Sequence, residues 1–322
     1  MIDRRAFLAG GAAMLATPAV AQGRSLDAAV AELPQLHSLQ VRLGDEIAYA
    51  AAPRGPGLSR AANIKSVSKS IVALLLGAAI ARGEIAGVDV PLAEVAPTLL
   101  RGATDGAGAI TLEDLVTLRA GLERTSGANY GGWVSSQNWV RDALSRPFVA
   151  EPGGPLLYST GSTHILGAAL AEATGRSLLA QARERIGAPL GIDIPPWTRA
   201  PEGYYLGGNE MALRPTAMLE IATMLRDGGR HGGAEVIAES WIDASLEPRT
   251  RSRWSGLGYG YGWFLSRSGW ALGRGYGGQI IAADRRAGLA VALTSDPTRP
   301  ARSGGYFSDI MALLEGPVRA LA

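Results

Sequence analysis

The 322-residue chain has no cysteine and almost no lysine. Without a thiol there is no disulfide, no thiolate metal site and no cysteine nucleophile. Histidine is nearly as scarce: His37, His164 and His231 are the whole set. No cluster with metal-ligand spacing forms around them, so no metal or other cofactor is expected. There is no G-x-S-x-G elbow and no H-E-x-x-H helix. An excess of one charge is missing too: 31 basic residues against 29 acidic ones leave a net charge of +2. The basic residues are scattered, which argues against a nucleic-acid partner. Beyond the N-terminus, no apolar run approaches the length of a membrane span.

What is present is a globular composition, 47% hydrophobic and 19% charged. That is enough apolar surface for one sizeable core. The first residues, MIDRRAFLAGGAAMLATPAVAQ, carry an arginine pair (Arg4, Arg5), a short apolar stretch and a small-residue Ala19-Val20-Ala21 end. This resembles a twin-arginine export signal. Residues 1–21 are therefore expected to be a cleaved leader and residues 22–322 a single domain, periplasmic or secreted, with no membrane anchor once the leader is removed. No feature of the sequence specifies an oligomeric state.

Residues 38–52 read as a strand pair turning at Gly44-Asp45. Lys65 to Arg82 reads as a helix apolar on most faces, hence buried. A mainly helical region follows over about 83–250, with helices expected at 111–121, 162–175 and 216–226. Then YGYGWFLS (259–266), GGQIIAAD (277–284) and GLAVALTS (288–295) read as short strands, and IMALLEGPVRAL as a closing helix. Strands at both ends with helices between predict an α/β fold. Its antiparallel sheet would be built from N- and C-terminal segments, with flanking helices and an inserted helical region.

The two lysines, Lys65 and Lys69, both fall in NIKSVSKSIV, where arginine serves everywhere else. Arginine stays protonated, whereas a desolvated lysine can become a base. On a helix, positions i and i+3 share a face, so Ser66 and Lys69 can meet. A serine at a helix start also presents an N–H that can stabilise an oxyanion. Lysine pressed against apolar neighbours loses its proton more readily. Alone, S-x-x-K is a weak four-residue pattern, and a capping serine beside a solvated lysine is its plainer reading. Lys65 reads as a surface charge at the helix start. A Ser-His-Asp triad through His164 stays an alternative, although its mid-helix spacing suits packing.

Further motifs follow SVSK in order: TLEDLVTLRAGLERT, EPGGPLLYSTGSTHILGAALAEATG, APLGI, GYGW and GYGGQ. In that order the chain resembles the serine β-lactamase-like superfamily of penicillin-recognising hydrolases. Within it, the chain is most similar to class C-like esterases and 6-aminohexanoate-dimer hydrolases, over roughly residues 35–320. The resemblance implies the β-lactamase/transpeptidase-like fold, Ser66 as acylated nucleophile, and Lys69 with Tyr158 as the general-base system. A cation next to Tyr158 would favour phenolate. The backbone N–H groups of Ser66 and Gln279 would form the oxyanion hole.

Two positions depart from the family pattern. Thr160 stands where a carboxamide usually contacts the substrate amide. Tyr276-Gly277-Gly278 stands where a cation-bearing K-T-G element recognises carboxylates. Arg274 shares a strand face with Tyr276 and is read as solvent-facing. Tyr130 is a candidate for holding an amide leaving group, while Trp133 and Trp139 read as core. These departures imply an esterase or amidase for small neutral substrates. A β-lactamase or D-alanyl carboxypeptidase-type enzyme is one alternative, and a non-catalytic binding or sensor domain the other.

Overall fold

A computed structural model describes residues 26–322; the export segment expected at 1–21 lies outside the described residues. Its frame is one eight-stranded antiparallel sheet. In chain order the strands are β1 (Leu36–Leu43), β2 (Glu46–Ala51), β3 (Thr250–Arg251), β4 (Gly258–Tyr259), β5 (Phe264–Leu265), β6 (Ala271–Gly275), β7 (Gln279–Asp284) and β8 (Leu289–Ser295). Across the sheet the order is β2-β1-β8-β7-β6-β5-β4-β3. The N-terminal strand therefore lies against the last one, with Val41 opposite Val291, as the sequence predicts.

Strand alternation divides the core in two. Ile280, Ala282, Leu289, Val291 and Leu293 face helix α4 (Tyr306–Leu313) and the helical residues 26–31. Ile281, Ala283, Ala290 and Ala292 face the helical region, because successive strand side chains point to opposite faces. Alanine predominates on that second face, where helix α3 (Pro215–Arg226) packs on β1, β7 and β8. Helix α1 (Ser68–Ala81) runs through the middle and is buried from Ser68 to Ala79. Helix α2 (Thr160–Thr174) packs beside it and ends at left-handed Gly175. Among the described residues no helix is long and apolar enough to cross a membrane, and no group of three or more acidic or histidine side chains could hold a metal ion.

Four local expectations need correction. The 259–266 stretch is two strands, not one, because Gly262 (φ 78°) turns the chain and the Gly260 N–H closes on the Trp263 carbonyl. The 111–121 helix is only Leu112–Val116, since Leu118 adopts φ 59°. The residue pattern does not mark strand β6, because ALGRG carries two glycines and no β-branched residue; only the resemblance puts Arg274 on a strand. The strand needs its glycines: a Cβ on Gly275 would lie 2.3 Å from the Ile64 carbonyl oxygen. Finally, Tyr276-Gly277-Gly278 is not strand but the turn joining β6 to β7.

Candidate active site

Ser66 lies on a 3-10 turn, Lys65–Val67, that leads into α1. It is partly exposed, while Val67, Ser68, Lys69 and Ser70 are buried. In a 3-10 turn residues three apart eclipse one another, which brings the Lys69 amine to 3.4 Å from the Ser66 hydroxyl. The turn is fixed on several sides. The Ser68 hydroxyl donates to the Lys65 carbonyl at 2.6 Å and accepts from the Met211 N–H. The Ser70 hydroxyl donates to the Gly262 carbonyl at 2.6 Å. Strand β6 packs against the turn's first residues through Gly275.

Lys69 is 2% exposed. Its amine donates to the Gly208 carbonyl at 2.6 Å and to the Thr160 hydroxyl at 3.2 Å. No carboxylate pairs with it among the described residues, and burial lowers its pKa to about 7. Gly208 suits this approach, since a Cβ there would crowd the Lys69 amine and the Thr160 carbonyl at 3.0 Å each.

Tyr158 lies beside the pair. Its ring stacks on Phe264, and the Lys69 amine sits 5.1 Å from its centroid. Burial raises the phenol's pKa; a side-chain hydrogen bond with Ser66 and the charge of Arg274 oppose this without overcoming it. The expected phenolate is thus disfavoured. The reason is the phenol's own burial, whose penalty on the charged form exceeds the help from the Ser66 hydrogen bond and from Arg274.

Thr160 is 3% exposed. Its hydroxyl does not face open solvent; it links Lys69 to the Ser126 hydroxyl, 3.0 Å away. The first turn of α2 explains why. Its leading N–H groups have no helical acceptors. The Ser126 hydroxyl accepts from the Thr160 N–H at 2.9 Å and the Thr125 hydroxyl from the Gly161 N–H at 2.7 Å. The Ser159 hydroxyl returns the contact by accepting from the Thr125 N–H. Thr125 and Ser126 thus set Tyr158 and Thr160 against Lys69, and sequence reasoning missed both.

It also missed the loop 207–210. Besides the Gly208 carbonyl, this loop supplies Asn209, whose amide donates to the Tyr130 hydroxyl at 2.9 Å, so Tyr130 is tied to the loop that holds Lys69. Glu210 pairs with Lys65 at 3.0 Å, so the charge expected at the helix start is there, partly exposed and held in an ion pair. His164 is fully buried and sits against Trp133 and Trp139. It accepts from the Gly207 N–H and contacts Glu202, so it anchors this loop and makes no contact with Ser66. Burial pushes the Glu202 carboxyl up, but the His164 contact and the Val140 and Trp139 N–H groups outweigh it and leave its pKa lowered.

The Tyr276-Gly277-Gly278 turn presents Tyr276 outward, 52% exposed. Gln279 begins β7 directly after it. Its buried side chain donates to the Ser295 carbonyl and accepts from the Ser295 N–H, tying the turn to β8. Arg274 is not solvent-facing, contrary to expectation. Its guanidinium lies 3.5 Å from the Phe307 ring centroid and donates to the Ala301 carbonyl and the Ser303 hydroxyl. Burial lowers its pKa to about 10.

Comparison with known proteins places the chain in a family and matches its fold. The family model "Beta-lactamase" matches residues 59–309. A curated relative, the esterase EstB of Burkholderia gladioli, is 29% identical over 201 residues, 56% of this chain and 49% of that protein. The match thus spans about half the length of the relative. Two solved structures share the fold with a TM-score of 0.74 each. One is a Bacillus anthracis protein provisionally named a 6-aminohexanoate-dimer hydrolase (16% identity, covering 90% of this chain and 82% of that one). The other is EstCE1, a hydrolase with promiscuous acyltransferase activity (17% identity, covering 92% and 98%).

Proposed function

The chain belongs to the beta-lactamase family, and from that premise we propose that it is a serine hydrolase cleaving ester or amide bonds of small neutral substrates, esters foremost, through an acyl-enzyme on Ser66. The observation that carries the proposal is the state of Lys69: buried, without an acidic partner, and lowered to about 7. Its two hydrogen bonds to Gly208 and Thr160 occupy the two N–H groups of a neutral amine. The lone pair is then left for the Ser66 hydroxyl. Lys69 takes that proton while the Ser66 oxygen attacks the substrate carbonyl. The N–H groups of Ser66 and Gln279 receive the developing oxyanion. Tyr158, which keeps its proton at neutral pH, donates it to the leaving alkoxide or amine. Water then attacks the acyl-enzyme by the reverse proton route.

Neutral substrates follow from Tyr276, which stands where a carboxylate-binding cation is expected. The nearest cation on that strand, Arg274, spends donors on Ala301 and Ser303. Periplasmic or secreted placement is part of the same proposal and rests on residues 1–21 alone. The test is a panel of chromogenic short-chain esters, linear amides, D-alanyl peptides and cephalosporins, run beside labelling with a serine-reactive phosphonate. Ester turnover with the label on Ser66 is expected. A cephalosporin with higher kcat/KM than every ester would overturn the substrate reading. Labelling without turnover of any substrate would favour a binding domain.

A further inference from the structure

Only three non-glycine residues among the described ones have positive φ, and two of them are paired with each other beside Ser66. Lys65 (φ 51°) immediately precedes it, and Glu210 (φ 67°) closes the loop whose Gly208 carbonyl holds Lys69. The Lys65 ammonium donates to Glu210 Oε1 at 3.0 Å. Asn63 completes the arrangement: its amide donates to Glu210 Oε2 at 2.6 Å, and its carbonyl oxygen accepts from the Lys65 N–H at 2.9 Å. The proposed chemistry uses none of these three side chains.

A side chain in the left-handed region crowds its own backbone. Such a conformation persists where the surroundings over-determine it, and it concentrates at functional sites. Here the surroundings are identifiable. Ala62–Asn63 and Ala212–Leu213 form a two-stranded ribbon, and the Ile64 N–H donates to the Met211 carbonyl. At Lys65 the chain leaves the ribbon for the 3-10 turn that carries Ser66. The Lys65 and Glu210 side chains keep 22% and 28% of their exposure. A partly exposed ion pair of this kind adds modest stability at most, and its position beside Ser66 suggests a further use.

We infer that Lys65, Glu210 and Asn63 form a positioning clamp that holds the left-handed residue before Ser66 and ties it to the loop orienting Lys69. The inference rests on Ser66 being the nucleophile. The clamp touches no substrate; it sets where the Ser66 hydroxyl and N–H stand relative to the Lys69 amine.

The test compares Lys65→Ala with Lys65→Gly, reading kcat, KM and Tm with a short-chain ester. Both variants lose the charge, but only glycine is at ease in the left-handed region. Lys65→Ala should lower kcat about tenfold with KM within about twofold, as expected for loss of an arrangement needed only in the transition state. Lys65→Gly should recover kcat to within about threefold of wild type. Equal losses in the two variants would overturn the inference, because charge and not backbone conformation would then matter. Unchanged kcat in Lys65→Ala would overturn it as well. Should Lys65→Ala fail to fold, Glu210→Ala against Glu210→Gly repeats the comparison at the other left-handed position, with the same outcomes. Phosphonate labelling of the wild type separates the two readings. A label away from Ser66 defeats the nucleophile assignment directly, whereas a label on Ser66 with no Ala–Gly difference defeats the clamp alone.

Discussion

The two flanks of the nucleophile turn carry the chain's two lysines, and they treat them in opposite ways. On one flank Lys69 is buried, faces neutral acceptors only, and is lowered to about 7. On the other Lys65 is partly exposed and paired with a carboxylate at 3.0 Å. Desolvation without a counter-charge makes a base; a counter-charge with solvent keeps a cation. Four residues of separation are enough to divide the roles, because the Lys69 amine meets only the neutral Gly208 carbonyl and the Thr160 and Ser66 hydroxyls, whereas the Lys65 ammonium meets the Glu210 carboxylate at the end of the same loop.

The sharpest way to break this comparison is to remove the group on which it acts. Ser66→Ala should reduce ester turnover by at least about 10⁴-fold with little change in Tm, as for other enzymes stripped of their nucleophile. Near-normal turnover in that variant would end the assignment. Next in size is the exchange of each lysine for arginine. Arginine keeps the charge but cannot become a neutral base. Lys69→Arg should therefore lose about 10²–10⁴-fold in kcat/KM, the usual worth of general-base catalysis. Lys65→Arg should stay within about threefold of wild type, since a left-handed cation facing Glu210 is preserved. Equal activity in the two variants would erase the distinction between the flanks.

How far this was legible in the sequence depends on whether a feature is local. The buried helix, the strand pair read at 38–52 and found at Leu36–Leu43 and Glu46–Ala51, and the joining of both chain ends in one sheet follow from apolar patterning over contiguous residues. Ser66 and Lys69 meet because three residues separate them on a helical turn. What sets their chemistry comes from far away in the chain. Gly208 is 139 residues from Lys69, and Ser126 is 34 from Thr160. Neither lies in a periodic segment, so no pattern marks them. Lys65 carries no sign of its left-handed conformation either, because that position is imposed by Asn63, Glu210 and the ribbon rather than by residue type. Arg274 misled for a related reason: the sequence reads it as sharing a strand face with Tyr276, but Tyr276 lies in the turn, and the distant segment 301–307 covers Arg274.

The pH profile sharpens the comparison further. If neutral Lys69 is the base, kcat/KM should rise tenfold per pH unit below about 7 and level off above it. Stability should carry the same signature. Lys69 has a folded pKa below its unfolded one, so the native state penalises its charge. That penalty is complete below about 7 and is relieved as pH rises toward 10.5, where the unfolded chain also loses the proton. A Lys69→Met variant should therefore gain more Tm over wild type at pH 6 than at pH 9. A gain that grows with pH would mean that Lys69 is not desolvated as described.

The smallest expected effect tests how the amine is aimed. Thr160→Val keeps shape and burial but removes the hydroxyl that accepts from Lys69 and bridges to Ser126. An acceptor favours the ammonium form; without it Lys69 should titrate lower, moving the acid limb of kcat/KM down by about one pH unit. The freed amine is also less well directed at Ser66, so the plateau should fall severalfold rather than by orders of magnitude, because the Gly208 carbonyl still holds it. The two shifts have opposite consequences at low pH: below the wild-type limb the variant should lose least and approach the parent. A limb that moves upward would show that the Thr160 hydroxyl acts as a donor that favours the neutral amine, and the bridge from Ser126 would then run in the opposite sense.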